Sequence, residues 1–99
     1  MANAPKQSAG ALFQRLVDIM AALRSEEGGC PWDRKQTLAS LRPHLLEETY
    51  EVLDAIDRGD HGALEGEIGD LLFEGVFLAQ IADDEGHFTV ADSIQHIVE

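Results

Sequence analysis

His44-Leu-Leu-Glu-Glu-Thr-Tyr-Glu-Val-Leu-Asp-Ala-Ile56, written HLLEETYEVLDAI, decides the fold. Leu45, Leu46, Tyr50, Val52, Leu53 and Ile56 recur at helical spacing and predict an amphipathic helix from about His44 to Arg58, ended by Gly59. One face of that helix packs, and the other is crowded with acid. Glu47 and Glu51 lie about 40° apart around the axis, and Glu48 and Glu51 about 60°. Like charges so spaced destabilise a helix by about a few tenths of a kcal/mol. Taken alone, the stretch reads equally as a solvated acidic face or as a set of ligands.

The next apolar run, EIGDLLFEGVFLAQIA from Glu67 to Ala82, tips that balance. Asp60 is placed to cap a helix that continues to about Asp84, where Glu85 and Gly86 close it. Ile68, Leu71, Leu72, Phe73, Val76, Phe77, Leu78 and Ile81 point in nearly every direction around its axis. A helix apolar all round is buried in a core or at a subunit interface. Yet Glu67, Asp70 and Glu74 share one strip of it, and no Lys or Arg follows Arg58 to pair with them. Buried carboxylates are costly unless paired or coordinated to metal. One i, i+3 acidic pair facing another makes a cage of oxygen ligands suited to Mg²⁺ or Mn²⁺.

Upstream, residues 1–10 (MANAPKQSAG) read as a flexible leader. From Ala11, the spacing of Leu12, Phe13, Leu16, Val17, Met20 and Leu23 predicts a helix, with Gly28 and Gly29 past its end. CPWDRKQT reads as an irregular connector, and LASLRP as a short helical turn before Pro43. Near the other end, Thr89 to Asp92 resembles a capping box that opens a last helix with Val90, Ile94, Ile97 and Val98 on one side. That apolar pattern is still running at Glu99, which suggests a chain that continues or was trimmed. No strand-like alternation of useful length occurs. The expected architecture is all-α, about four main helices in a single domain over 11–99, with a core of modest size.

The formal charge of -12 on 99 residues argues against a nucleic-acid polymer or an anionic membrane as partner, and leaves room for metal ions. One cysteine, Cys30, fits a reducing compartment and reads as a small buried residue rather than a nucleophile. No signal-peptide pattern and no apolar run of about 18 residues is present, so a cytoplasmic domain is expected. His44, His61, His87 and His96 lack ligand spacing and read as surface or cap residues.

HLLEETYEVLDAI followed by EIGDLLF resembles the E-E-x-x-E … E-x-x-D signature of the MazG-type nucleoside triphosphate pyrophosphohydrolases. CPWDRKQTLASLRP, just upstream, is similar to that family's CPWD-[KR]-x-QT element. The resemblance covers about residues 12 to 98 and is closest to the amino-terminal domain of proteins that carry two in tandem. It implies a helical bundle completed by dimerisation or a higher oligomer, binding Mg²⁺ with Mn²⁺ as substitute. It also implies hydrolysis of nucleoside triphosphates between the α and β phosphates to monophosphate and pyrophosphate.

By position, Glu48, Glu51, Glu67 and Asp70 would be metal ligands. Glu47 and Glu48 would be the catalytic carboxylates, Glu47 supporting water activation or a further metal. Arg34, Lys35 and Arg42 form the only basic cluster; they meet the triphosphate or offset nearby acids on the surface. Trp32 stacks on a base or braces its loop. The match departs from the family in three places. Glu65 and Gly66 stand where many members carry a basic residue before the second acidic pair. Gly75 interrupts the second acidic helix, and the basic, histidine-containing segment after the fourth helix is absent. The competing readings are a non-catalytic helical dimerisation or nucleotide-sensing module that keeps the metal site, and a plain acidic interaction domain.

Overall fold

The computed structural model describes residues 7–99, so the first six residues of the expected leader lie outside the described residues. Five helices follow one another: α1 (Ala9–Leu23), α2 (Pro31–Lys35), α3 (Leu38–Arg58), α4 (His61–Asp84) and α5 (Val90–Val98). No strand occurs among the described residues. The chain is all-α, as expected.

Helix α1 starts earlier than its periodicity suggests, because the Ser8 hydroxyl accepts from the Ala11 N–H at 3.1 Å and caps Ala9 onward. CPWDRKQT is not an irregular connector. Pro31 opens the one-turn helix α2 at a first position where its missing N–H costs nothing.

The break expected before Pro43 does not form either, and residues 38–58 are one helix. Pro43 forfeits a bond to the Ala39 carbonyl. Two local features carry the helix through it. Thr37 and Ser40 form a reciprocal capping box, with Ser40 N–H on Thr37 Oγ1 at 3.1 Å and Thr37 N–H on Ser40 Oγ at 2.8 Å. Leu41, one residue on, is buried in the core.

The turn between α3 and α4 is tight. Gly59 sits at φ 64°, a left-handed conformation open to glycine, and Asp60 at once caps α4 through the Ala63 N–H at 3.0 Å. So short a link forces α3 and α4 to lie side by side, and theirs is the most extensive packing in the chain. The Thr89–Asp92 capping box opens α5 as the sequence suggests.

The core joins Met20 of α1 and Leu41 of α3 to Val76, Phe77 and Ile81 of α4, with Phe13, Leu16, Val17, Phe73 and Leu78 packed against it. It covers only the second half of α4. Ile68 and Leu72, expected to be buried, are 45% and 51% exposed.

Helix α3 also turns a different face inward from the one its large apolar residues mark. Leu41 and Ala55 are buried and Glu48 and Val52 half-buried, while Leu46, Tyr50, Leu53 and Ile56 point outward. Two stripes compete for the interior, and a chain this short has core enough for one. The stripe that packs carries a carboxylate.

Candidate metal centre

The roll of α3 brings its acids onto those of α4. Glu48 and Glu51 stand one turn apart on α3, and Glu67 and Asp70 one turn apart on α4. Carboxylate oxygens of Glu48, Glu67 and Asp70 lie within 4.8 Å of one another. Glu51, exposed, is outside that group of three but neighbours Glu67: its pKa is raised, chiefly because its protonated form can hydrogen-bond Glu67, and next by the Glu67 charge. Glu67 is raised too, first through a hydrogen bond with Glu48 and then, against an opposing one from Glu51, by desolvation and the charges of Glu48 and Asp70. Glu48 and Asp70 thus act on the ionisation of Glu67, and Glu67 on that of Glu51.

Among the described residues, three side-chain oxygens are buried without a hydrogen-bond partner: Oε2 of Glu48, of Glu67 and of Glu74. An unpartnered buried oxygen in a charged group carries a full desolvation cost. None of the ion pairs among the described residues reaches these acids; they join Arg24 to Asp84, Arg58 to Asp54 and Asp60, and His87 to Glu85. An all-carboxylate donor set with sealed, unpaired oxygens fits a hard divalent cation and suits neither a soft metal nor an anion.

The other residues singled out by sequence divide into two groups. Glu47 stays beside the centre, exposed, in a groove lined by Pro43, Leu46, Tyr50, Glu51 and Asp54. Trp32 is brought to the α3–α4 seam, edge-on to His44 at 5.7 Å and to Phe77 at 6.3 Å, and 52% exposed. His44 lies four residues before Glu48, and Phe77 seven residues after Asp70. At 1.5 Å per residue the aromatic group is therefore about 6 to 10 Å along the seam from the carboxylates.

The basic residues go elsewhere. Arg34 and Lys35 line a separate pocket with Arg24, Glu26 and Asp84. Asp84 is fourteen residues beyond Asp70, about 20 Å along α4. Arg42 lies on the outer side of α3 with Ala39, Leu45 and Thr49.

Glu74 and His44 are additions to the site. Burial raises the Glu74 pKa first, the His44 charge opposes that rise, and Asp70 adds to it. Glu74 already shared the strip of Glu67 and Asp70 in the sequence, and His44 stands one turn from Glu48. His44 is exposed, as its reading as a surface residue expects; what the sequence did not give is its place beside Trp32 and Glu74, which becomes visible only when α3 is rolled against α4.

The chain's residues 36–99 match the model of the MazG nucleotide pyrophosphohydrolase domain. It is 59% identical over 80 residues to a nucleoside triphosphate pyrophosphohydrolase of Escherichia coli K12, covering 81% of this chain and 30% of that protein. Against a nucleoside triphosphate pyrophosphohydrolase/pyrophosphatase MazG of Thermotoga maritima it is 50% identical over 93 residues, 94% of this chain and 36% of the relative. A nucleoside triphosphate pyrophosphohydrolase of Mycobacterium tuberculosis is 44% identical over 92 residues, 91% of this chain and 27% of the relative. The chain spans about a third of the length of these curated relatives.

Proposed function

As this chain belongs to the MazG nucleotide pyrophosphohydrolase domain family, we propose that it hydrolyses nucleoside triphosphates to monophosphate and pyrophosphate with Mg²⁺. The observation that carries this reading is the meeting of Glu48, Glu67 and Asp70 within 4.8 Å, with buried oxygens left unpaired. Glu48, Glu51, Glu67 and Asp70 would hold the cation. When bound, the cation neutralises phosphate charge and makes a water more acidic.

The chain's own side chains supply the rest. Glu47, at the open side beside Glu51, is the carboxylate free to take a proton from the attacking water. Glu48, facing inward, fixes the geometry that Glu47 works on. Trp32 and His44 hold the nucleoside, since their distance along the seam suits a ligand whose phosphates sit at the carboxylates. Arg34, Lys35 and Arg42 line pockets that do not include the four carboxylate ligands. Charge on the phosphates must then be met by cations, which agrees with the acidic character of the centre.

The homo-oligomer belongs to the same proposal. Leu46, Tyr50, Leu53 and Ile56, each about half exposed, form an apolar stripe on α3 beside the groove that holds Glu47. A second copy covering that stripe shields the open side of the site from bulk water. A cytoplasmic location fits the single cysteine; among the described residues no helix is long and apolar enough to cross a membrane.

The test is a panel of nucleoside triphosphates incubated with the chain and Mg²⁺, with products separated. Monophosphate and pyrophosphate are expected, and Glu48→Ala and Asp70→Ala should lose the activity. Release of diphosphate and orthophosphate, or variants as active as wild type, would contradict the proposal. Saturable nucleotide binding without any hydrolysis would favour the sensing module instead.

A further inference from the structure

Arg24 has no part in the site just described, yet its side chain is 11% exposed and fully engaged. Its Nε donates to Asp84 Oδ2 at 2.7 Å. One guanidinium nitrogen donates to the carbonyl of Asp33 at 2.6 Å and to that of Gln36 at 3.2 Å. The guanidinium carbon also lies 6.0 Å from the centroid of the Phe77 ring. So one side chain, at the end of α1, reaches α2 and two places on α4.

The two carbonyls matter most. A helix of five residues is marginal by itself, and its final carbonyls have no partner within the helix. At the end of α2 one Arg24 nitrogen joins the Gln36 N–H on the Asp33 carbonyl and also takes the carbonyl of the capping residue Gln36. The other end of the turn is held by the Cys30 N–H on the Leu23 carbonyl at 2.8 Å, next to Arg24 in the chain. Between these two ties stands Trp32, packed edge-on to the same Phe77 ring that Arg24 approaches.

We infer that Arg24 is a positioning residue for substrate binding: anchored on Asp84 through Nε, it holds the Asp33 and Gln36 carbonyls through one further nitrogen, and so fixes α2 and thereby the pose of the Trp32 ring at the seam. This rests on the proposed role of Trp32 at the nucleoside. Arg24 acts on substrate affinity from the far end of α4, with no contact to the carboxylates and no effect on their cation. Lysine keeps the charge but has a single nitrogen, so it cannot hold Asp84 through one nitrogen and the two carbonyls through another.

Trp32 is the one tryptophan of the chain, so intrinsic fluorescence reports its pose directly. In Arg24→Lys, the emission should shift to the red and become more open to acrylamide quenching while helicity by circular dichroism is kept. The KM for a triphosphate should rise about 5- to 10-fold with kcat within about twofold. Mg²⁺ affinity should be unchanged. Combining it with Trp32→Ala should add nothing to the KM effect of Trp32→Ala alone. Asp84→Asn, which loosens the guanidinium but leaves the nitrogen that bonds the two carbonyls, should move emission in the same direction by less; it carries the test if Arg24→Lys fails to fold.

Wild-type emission and KM in both variants would overturn the inference, as would a fall in kcat at unchanged KM. A wild-type chain that turns over no triphosphate sinks the functional reading, whereas the emission arm still decides whether Arg24 sets the pose of Trp32.

Discussion

Glu48 shares the inward stripe of α3 with Leu41, Val52 and Ala55, and its Oε2 is sealed from solvent without a partner. Removing its charge therefore relieves repulsion and destroys a ligand at once. Glu48→Gln and Asp70→Asn should melt, without added metal, no lower than wild type. Both should lose the rise in Tm caused by Mg²⁺, and hydrolysis should fall by about 100-fold or more. A variant that melts well below wild type and still responds to Mg²⁺ would show these side chains to be structural.

The same crowding sets a pH dependence. Glu51, Glu67 and Glu74 are all raised from 4.5, so the folded chain holds protons that the unfolded chain has released. Their contribution is fully present below 4.5 and lost as pH rises through the raised values. Asp60, lowered from 3.8 chiefly by the Ala63 N–H, works oppositely: its contribution is present above 3.8 and lost as pH falls through its folded value. In chelator, the chain should melt higher at about pH 4.5 than at about pH 7.5, and Mg²⁺ should stabilise it more at the higher pH. Equal melting at both pH values with no Mg²⁺ effect would refute the carboxylate coupling. Of this chemistry, the i, i+3 acids were legible because that relation is local to one helix. Glu74 was legible with them as part of the acidic strip; the place of His44 beside it was not, because that depends on which stripe of α3 turns inward.

Among the elements, α4 carries the clearest local conflict. Gly75 lies mid-helix, exposed, and an added methyl would meet nothing within 4 Å. Gly75→Ala should stabilise the chain by about 1 kcal/mol in a denaturant titration, with the hydrolysis rate unchanged. Destabilisation would mean that another surface approaches α4 closely at that point. Helix ends were legible because caps are short-range chemistry: Gly59, Asp60 and Thr89 act within three residues of themselves. Pro43 misled, because local propensity breaks α3 there. Burial of Leu41 and the Thr37–Ser40 capping box override it. In CPWDRKQT, Pro31 signalled a turn but not that Arg24, from another helix, would hold α2 together.

At the scale of the whole molecule, the chain builds one small core and leaves an apolar face uncovered. The all-round apolar pattern of α4 correctly foretold its buried second half, but Ile68 and Leu72 at the acidic end stay exposed. Together with Tyr50 and Leu53 they are what a second copy would bury. Leu53→Glu should convert a dimer to a monomer by light scattering at micromolar concentration; a monomeric wild type would remove the basis of that expectation. The acidic balance has a simpler consequence. All Lys and Arg precede residue 59, so the paired acids of α4 have no cation from their own half of the chain. The most direct measurement is a calorimetric titration of Mg²⁺ into the metal-free chain. Saturable binding that releases protons and disappears in Glu67→Gln and Asp70→Asn is the predicted result. A featureless titration, or one these variants leave unchanged, would contradict the assignment of the α3–α4 carboxylates as a metal centre.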